Sequence, residues 1–154
     1  MKLDRIDRKI LARLQEDGRI ANAELAEAVG LSASACLRRV KALEQAGVID
    51  RYVALLDPKK ISRRMDIFVE ISLTSQSSEV LGAFEKAVNR SSEIMECYLM
   101  AGDADYLLRI AAADPTDFER IHKEHLSRLP GVTRMRSSFA IRTVTRKTAF
   151  AFDE

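Results

Sequence analysis

Residues 22–47 read NAELAEAVGLSASACLRRVKALEQAG, and this stretch decides the fold of the first third of the chain. It holds two helix-compatible runs, Asn22 to Val29 and Ala33 to about Ala46, separated only by Gly30-Leu31-Ser32. Two short helices crossing steeply over a turn that needs a glycine form the helix-turn-helix arrangement. Asn22 and Ser32 are expected as N-caps, with Gly30 and Gly47 as the C-terminal stops. Ala26 supplies the small side chain where the helices approach, Leu31 plugs the turn, and Val29 and Cys36 fill the crevice. The last apolar position falls at Val40, one residue later than in simple versions of the pattern. An ordinary α-hairpin needs only the apolar periodicity. The glycine, plug and caps together favour the DNA-binding version.

Resolved at 100° per residue, the second of these helices is expected to turn Cys36, Leu37, Val40 and Leu43 toward the core. Ser34, Arg38 and Lys41 lie opposite, with Ala35 at the edge and Arg39 on a flank. A helix presenting Arg38 and Lys41, with the small residues Ala33, Ser34 and Ala35 at its start, suits a major groove roughly 12 Å wide. Small side chains let the backbone approach, and the free N–H groups beyond Ser32 favour a phosphate. No acid occurs between Glu27 and Glu44. Arg38 is the expected base contact, Arg39 and Lys41 the phosphate or mixed contacts, and Ser32, Ser34 and Ala35 complete the candidate DNA-binding set.

Upstream, Asp4 caps an amphipathic helix over residues 5–16 that Asp17-Gly18 ends. Downstream, residues 48–56 (VIDRYVALL) are apolar and β-branched enough to be a strand. The organisation expected is a DNA-binding domain over residues 1–50, a linker strand and hinge over 51–64, and a second domain over 65–154. Over all 154 residues the net charge is only +2. Cut in the hinge, the chain divides into residues 1–64 with 14 basic and 9 acidic side chains and residues 65–154 with 11 and 14. Such an imbalance points to a nucleic-acid contact on the basic side.

The remainder reads as strand, helix, strand, strand, helix, strand. Residues 66–74 alternate, with Ile67, Val69, Ile71 and Leu73 on one face. Ser77-Ser78 open a helix with Val80, Leu81, Phe84 and Val88 inward. Residues 94–101 and 106–112 form a hairpin across Gly102-Asp103-Ala104-Asp105. A capping box of Thr116 and Glu119 starts a helix burying Phe118, Ile121, His125 or Leu126, and Leu129. Residues 132–145 make the last strand. This is the ferredoxin-like split βαβ order, with both helices on one side of the sheet. The second strand is apolar on both sides, Ile94, Tyr98 and Met100 against Met95, Cys97, Leu99 and Ala101. A second copy is expected to cover the open face.

Segments spread over nearly the whole chain carry a family resemblance. They are Leu3-Asp4-x-x-Asp7-x-x-Ile10-Leu11, Asp17-Gly18-Arg19, Glu24-Leu25-Ala26-x-x-Val29-Gly30-Leu31-Ser32 and Cys36-Leu37-Arg38-Arg39-Val40-x-x-Leu43-Glu44-x-x-Gly47-Val48-Ile49. Gly102-Asp103-x-Asp105-Tyr106-Leu107-Leu108 and Leu129-Pro130-Gly131-Val132 follow in the second domain. In this order they closely resemble the Lrp/AsnC family of prokaryotic transcriptional regulators, most of all its leucine-responsive branch. The resemblance implies an α+β protein: a winged helix-turn-helix domain joined by a linker strand to a ferredoxin-like βαββαβ effector and dimerisation domain. It implies homodimers that assemble into octamers on double-stranded DNA, no cofactor, and a small amino acid effector, leucine or another. It further implies control of amino acid metabolism genes by a cytoplasmic, nucleoid-associated protein. Carried over residue by residue, it places Gly102, Asp103, Asp105 and Tyr106 at the effector site, with Ser137 and Ser138 as further partners. Gly102 would expose N–H groups to a carboxylate, and Asp105 could hold an α-ammonium; Gly and Asp equally suit a tight hairpin for geometry alone. Ala104 stands where many relatives carry a larger residue.

Other classes find little support. The longest uncharged stretch, Ala28 to Leu37, is ten residues, against about 20 for a spanning helix. The first residues contain no apolar run of a secretory signal, so a cytosolic protein is expected. Cys36 and Cys97 make neither a disulfide framework nor a metal pair. Glu119, His122 and His125 have ligand-compatible spacing, but a di-metal bundle site needs a second Glu-x-x-His and two further glutamates. Neither a metal site nor a catalytic residue is expected. A low-specificity chromosome organiser and a small-molecule enzyme remain as other readings.

Overall fold

The protein is described by a computed structural model covering residues 2–152. Three helices come first: α1 (Arg5–Glu16), α2 (Asn22–Val29) and α3 (Ala33–Gln45). There follow β1 (Met65–Leu73), α4 (Ser78–Arg90), β2 (Ile94–Leu99), β3 (Tyr106–Ala112), α5 (Pro115–Glu124), a single 3₁₀ turn (Leu126–Arg128) and β4 (Val132–Phe139). The chain forms two compact units, one holding the residues up to Leu55 together with the tail from Thr145, the other Leu56–Val144.

In the first unit, the spacing of Ile10, Leu11, Leu25, Ala26, Val29, Cys36 and Leu43 puts all seven in one buried core. Leu31 and Val40 pack against it, as expected. Leu37 does not: it is 44% exposed and joins the outer surface of α3. Gly30 has φ 74°, and its N–H and that of Leu31 close α2 on the carbonyls of Glu27 and Ala26. Asn22 is not the cap expected of it. Ala21 holds the extended cap backbone, while the Asn22 amide donates to the Ala33 carbonyl at 2.8 Å and ties α2 to the start of α3.

Residues 48–56 carry no strand. Apolar and β-branched composition describes a segment able to pair, but a strand exists only where a neighbour completes its hydrogen bonds, and the described residues offer none. Val53, Leu55 and Leu56 are exposed in consequence. The tail joins this unit instead: Gln15 Nε2 donates to the Phe150 carbonyl at 3.1 Å, the Phe150 N–H donates to Gln15 Oε1 at 2.7 Å, and Phe152 packs against the core. Counted on these units, the charge asymmetry shrinks. The first has 12 basic and 10 acidic residues over its whole span, the second 13 of each. The larger imbalance came from cutting after Lys59, Lys60, Arg63 and Arg64, which fold with the second unit. The local basic face of α3 is the part of that signal that survives.

In the second unit the strands run β2-β3-β1-β4, every pair antiparallel. Ile67, Val69, Ile71, Leu73, Tyr106, Leu108, Ile110 and Ala112 are buried with Phe84 and Val88 of α4 and with Ile121, Leu126 and Leu129. Leu126, not His125, fills the core position after α5. Asp114 caps α5 by accepting from the Asp117 N–H, and Pro115 is its first residue. Proline at that position needs no N–H partner, which moves the start ahead of the Thr116–Glu119 box.

A bulge between Ile94 and Glu96 changes the expected faces of β2. Ile94 opposes Ile110 and Cys97 opposes Leu108, so both pack on the helix-covered core despite their odd spacing. The other face of the sheet carries Phe68, Tyr98 and Leu107, but also charges. Arg109 bridges Asp66 and Glu96 at 2.8 Å each, and Arg136 meets Glu70 at 2.6 Å. β2 stops at Leu99 and β4 at Phe139, both short of their expected ends.

Candidate functional site

The outer surface of α3 is built from its first turn. Ser32 holds an extended backbone and its Oγ accepts from the Ala35 N–H at 3.3 Å, with the Ser34 hydroxyl 3.3 Å away. This hydroxyl pair stands at the positive end of a thirteen-residue helix, where unpaired N–H groups favour an anion. One and two turns on, Arg38 and Lys41 are exposed, and among the described residues neither has a hydrogen-bond or ion-pair partner. Leu37, beside Lys41, adds an exposed apolar side chain to the same surface. A cationic row of this kind, with no acid on its own helix before Glu44, is a surface a DNA phosphate or a guanine edge can meet.

Arg39 behaves differently. Its Nη1 lies 2.7 Å from Asp4 Oδ2 and 2.7 Å from Asp7 Oδ1. Those two acids already cap each other: the Asp7 N–H donates to Asp4 Oδ1 and the Asp4 N–H donates to Asp7 Oδ2. Asp7 is the one buried charged residue among those described, 7% exposed. The Asp7 N–H and the Arg39 guanidinium hold the Asp4 carboxyl below the ordinary carboxylate range, and the two acids raise the guanidinium. Helical periodicity places Arg39 on a flank; it does not reveal the carboxylates waiting there.

In the second unit the turn between β2 and β3 holds three of the expected effector residues, and the fourth, Tyr106, opens β3. Gly102 and Asp103 are exposed, and among the described residues Asp103 has no hydrogen-bond partner. Asp105 is occupied. Its carboxylate accepts from the Leu73 N–H at 2.7 Å and from Gln76 Nε2 at 2.8 Å, and its N–H donates to the Ile71 carbonyl. The Leu73 N–H and then Gln76 hold its carboxyl below the ordinary range. Tyr106 is a core residue, its ring 4.6 Å from that of Phe84 and tilted by 35°, with its hydroxyl donating to Glu85 at 2.7 Å; burial first, then Glu85, pushes its phenol up. Gln76 and Glu85 were not anticipated; only their carboxylate and hydroxyl partners were visible as chemistry.

The serines lie elsewhere. Ser137 opposes Val69 on the helix-covered side and Ser138 opposes Phe68 on the other, so adjacent positions face opposite ways. β4 and β3 flank β1, which separates the serines from Tyr106 by two strand spacings, on the order of 10 Å. One chain does not bring the turn and the serines together. His125 Nδ1 sits 3.4 Å from Ser91 Oγ and His122 lies edge-on to Phe118. No cluster of three or more His, Cys, Asp or Glu side chains suited to a metal occurs among the described residues. No helix among them is long and apolar enough to cross a membrane.

Residues 3–50 match the winged helix-turn-helix DNA-binding family, and residues 66–150 match the Lrp/AsnC ligand-binding domain. The chain belongs to the Lrp/AsnC family. It is 47% identical over 135 residues to the leucine-responsive regulatory protein of Escherichia coli K12, covering 88% of this chain and 82% of that protein. An AsnC family transcriptional regulator from Agrobacterium tumefaciens has the same fold with a TM-score of 0.92 and 40% identity over 97% of both chains. A Neisseria meningitidis regulator solved as its L-Met complex follows at 0.91 and 35%, again over 97% of both. This Lrp/AsnC protein is accordingly a DNA-binding transcriptional regulator with a ligand-binding domain, and not an enzyme.

Proposed function

We propose that this Lrp/AsnC regulator binds duplex DNA sequence-specifically through α3, and that its binding or assembly responds to a small amino acid. The observation that carries the reading is the unpaired cationic row of Arg38 and Lys41 beyond the Ser32 cap. Arg38 reads a base edge, Lys41 meets phosphate, and Ser32, Ser34 and Ala35 bring the start of α3 against the backbone. Replacing Arg38 by Ala is expected to weaken binding to an in vitro selected duplex by roughly tenfold to a hundredfold at fixed salt. Circular dichroism and sedimentation should be unchanged. Equal affinity of parent and variant in a gel-shift titration would remove Arg38 from the contact. Competition with random DNA distinguishes a specific regulator, which wins by roughly 10³ or more, from a chromosome organiser.

The effector reading is supported by the relative crystallised with L-Met and by the leucine-responsive relatives. Gly102 and Asp103 are the turn residues whose polar groups are open to a ligand; Asp105 and Tyr106 shape the turn from behind. Because Ser137 and Ser138 lie two strands away, a ligand touching both groups draws them from different copies of the chain. Dimers built into octamers satisfy this, as does burial of Phe68 and Tyr98 on the open sheet face. A cytoplasmic, nucleoid-associated regulator of amino acid metabolism genes fits these features. A thermal-shift screen of the twenty amino acids tests the effector, since a ligand of the native state must raise the melting temperature. A flat response across all twenty would end this reading.

A further inference from the structure

Arg39 stands beside the two groups assigned to DNA, yet its charge is already used. Its Nη1 is 2.7 Å from a carboxylate oxygen of Asp4 and 2.7 Å from one of Asp7. Asp7 is almost fully buried, and a buried carboxylate is tolerated only when a cation and hydrogen bonds compensate it. The same carboxylate accepts the Asp4 N–H, so one cluster serves as N-cap of α1 and as anchor of α3. The other ties of α3 lie at its two ends, the Asn22 amide on the Ala33 carbonyl and the Leu31 plug at its start, and the Tyr52 hydroxyl on Glu44 with the Val48 and Ile49 N–H groups on the Leu43 carbonyl at its finish. Apolar contacts of Cys36, Val40 and Leu43 hold α3 against its neighbours through a force that is itself non-directional. A short, directional, charge-assisted bond adds resistance to rotation and sliding.

We propose that Arg39 is a positioning residue: bound to the Asp4–Asp7 capping box, it fixes the rotation of α3 so that Arg38 and Lys41 meet the groove together, and it makes no phosphate contact itself. This rests on α3 being the DNA-reading helix. Two consequences separate it from a phosphate contact. A lysine or arginine that neutralises a phosphate contributes about one to the slope of log affinity against log salt; Arg39 contributes nothing. Removing the negative charge of Asp7, which in itself favours DNA binding by raising the net charge, instead weakens discrimination because Arg39 keeps only the half-exposed Asp4 carboxylate and is no longer fixed between two acceptors.

The test uses the full-length protein and fluorescence anisotropy on an in vitro selected duplex and a random duplex of equal length, between 50 and 200 mM salt. Parent, Asp7→Asn, Arg39→Ala, their double variant and Arg38→Ala are compared at a temperature where circular dichroism shows each folded. Asp7→Asn keeps the side-chain shape and an oxygen for the Asp4 N–H, so it carries the test if Arg39→Ala unfolds. The expected result is a similar loss of selected-over-random discrimination, roughly tenfold, in Asp7→Asn and Arg39→Ala, with no further loss in the double variant and an unchanged salt slope on random DNA. A loss of stability alone would leave the discrimination of the folded protein where it was. A slope lower by about one in Arg39→Ala, with Asp7→Asn binding like the parent or tighter, overturns the proposal and returns Arg39 to the phosphate contacts. If Arg38→Ala also leaves discrimination intact, α3 is not the reading helix, and the proposal fails with the reading beneath it.

Discussion

Gly30 and Gly82 show opposite consequences of a missing Cβ. At Gly30 the backbone has φ 74° and an added Cβ would meet nothing within 4 Å, so the cost of a substitution there is conformational alone. Gly30→Ala is expected to destabilise by about 1–2 kcal/mol, the penalty of a left-handed residue with a side chain. Gly82 lies inside α4 with open space around it. Gly82→Ala should stabilise by roughly 0.5–1 kcal/mol through the unfolded chain. Urea unfolding of both variants checks the pair; two changes of the same sign would refute the account. Gly30 was legible because the residues around it, Val29, Leu31 and Ser32, specify a helix end, a plug and a cap. Arg39 was not. Its partners lie 35 and 32 residues upstream, and the periodicity of one helix says nothing of what another helix brings to its flank. Leu37 failed for a related reason: the wheel places it at the margin of the apolar sector, and the neighbours available decide a marginal position.

At the scale of elements, alternation and turn chemistry found the strands, and register came only with pairing. β1 and β3 were legible because every second residue is apolar and is in fact buried. In β2 one bulged residue moved Ile94 to the face of Cys97, and composition carries no mark of a bulge. The segment at 48–56 had the composition of a strand and found no partner. The hairpin turn shows the same limit: the resemblance places Asp105 at the effector site, where its charge could hold an α-ammonium, but that charge is engaged by the Leu73 N–H and Gln76, which lock the end of β1. That lock has a pH signature. A carboxyl whose folded pKa lies below its ordinary 3.8 contributes stability that is complete above that value and is lost as pH falls through the lower one. Asp105→Asn is expected to melt below the parent near neutrality, with the gap closing as acid protonates the parent. Melting curves from pH 6 to about pH 2.5 show this; a gap that stays constant would mean that Asp105 acts through shape and not through charge.

For the whole molecule, what matters is that the chain passes between its two units twice, once at Leu55–Leu56 and again at Val144–Thr145. The tail is more than a trailing end. Ala140 N–H and the Thr143 hydroxyl both donate to Asp66 at the start of β1, and a few residues later Phe150 and Phe152 are held in the helical unit by Gln15 and its core. No periodicity announces this, because a short extended tail buries one or two side chains and forms no element. Its energetic weight is that of one aromatic ring partly removed from water and a reciprocal amide pair, together about 1–3 kcal/mol. Truncation after Val144 is therefore expected to lower the stability of the helical unit by that amount and to speed amide hydrogen exchange in α1, around Leu11, Leu14 and Gln15. The amides of β1 and β3, deep in the other unit, should keep their protection, since local opening follows local contacts. Gln15→Ala should reproduce a part of the α1 effect with the tail intact. Unchanged exchange in α1 after truncation would show that the helical unit does not depend on the tail.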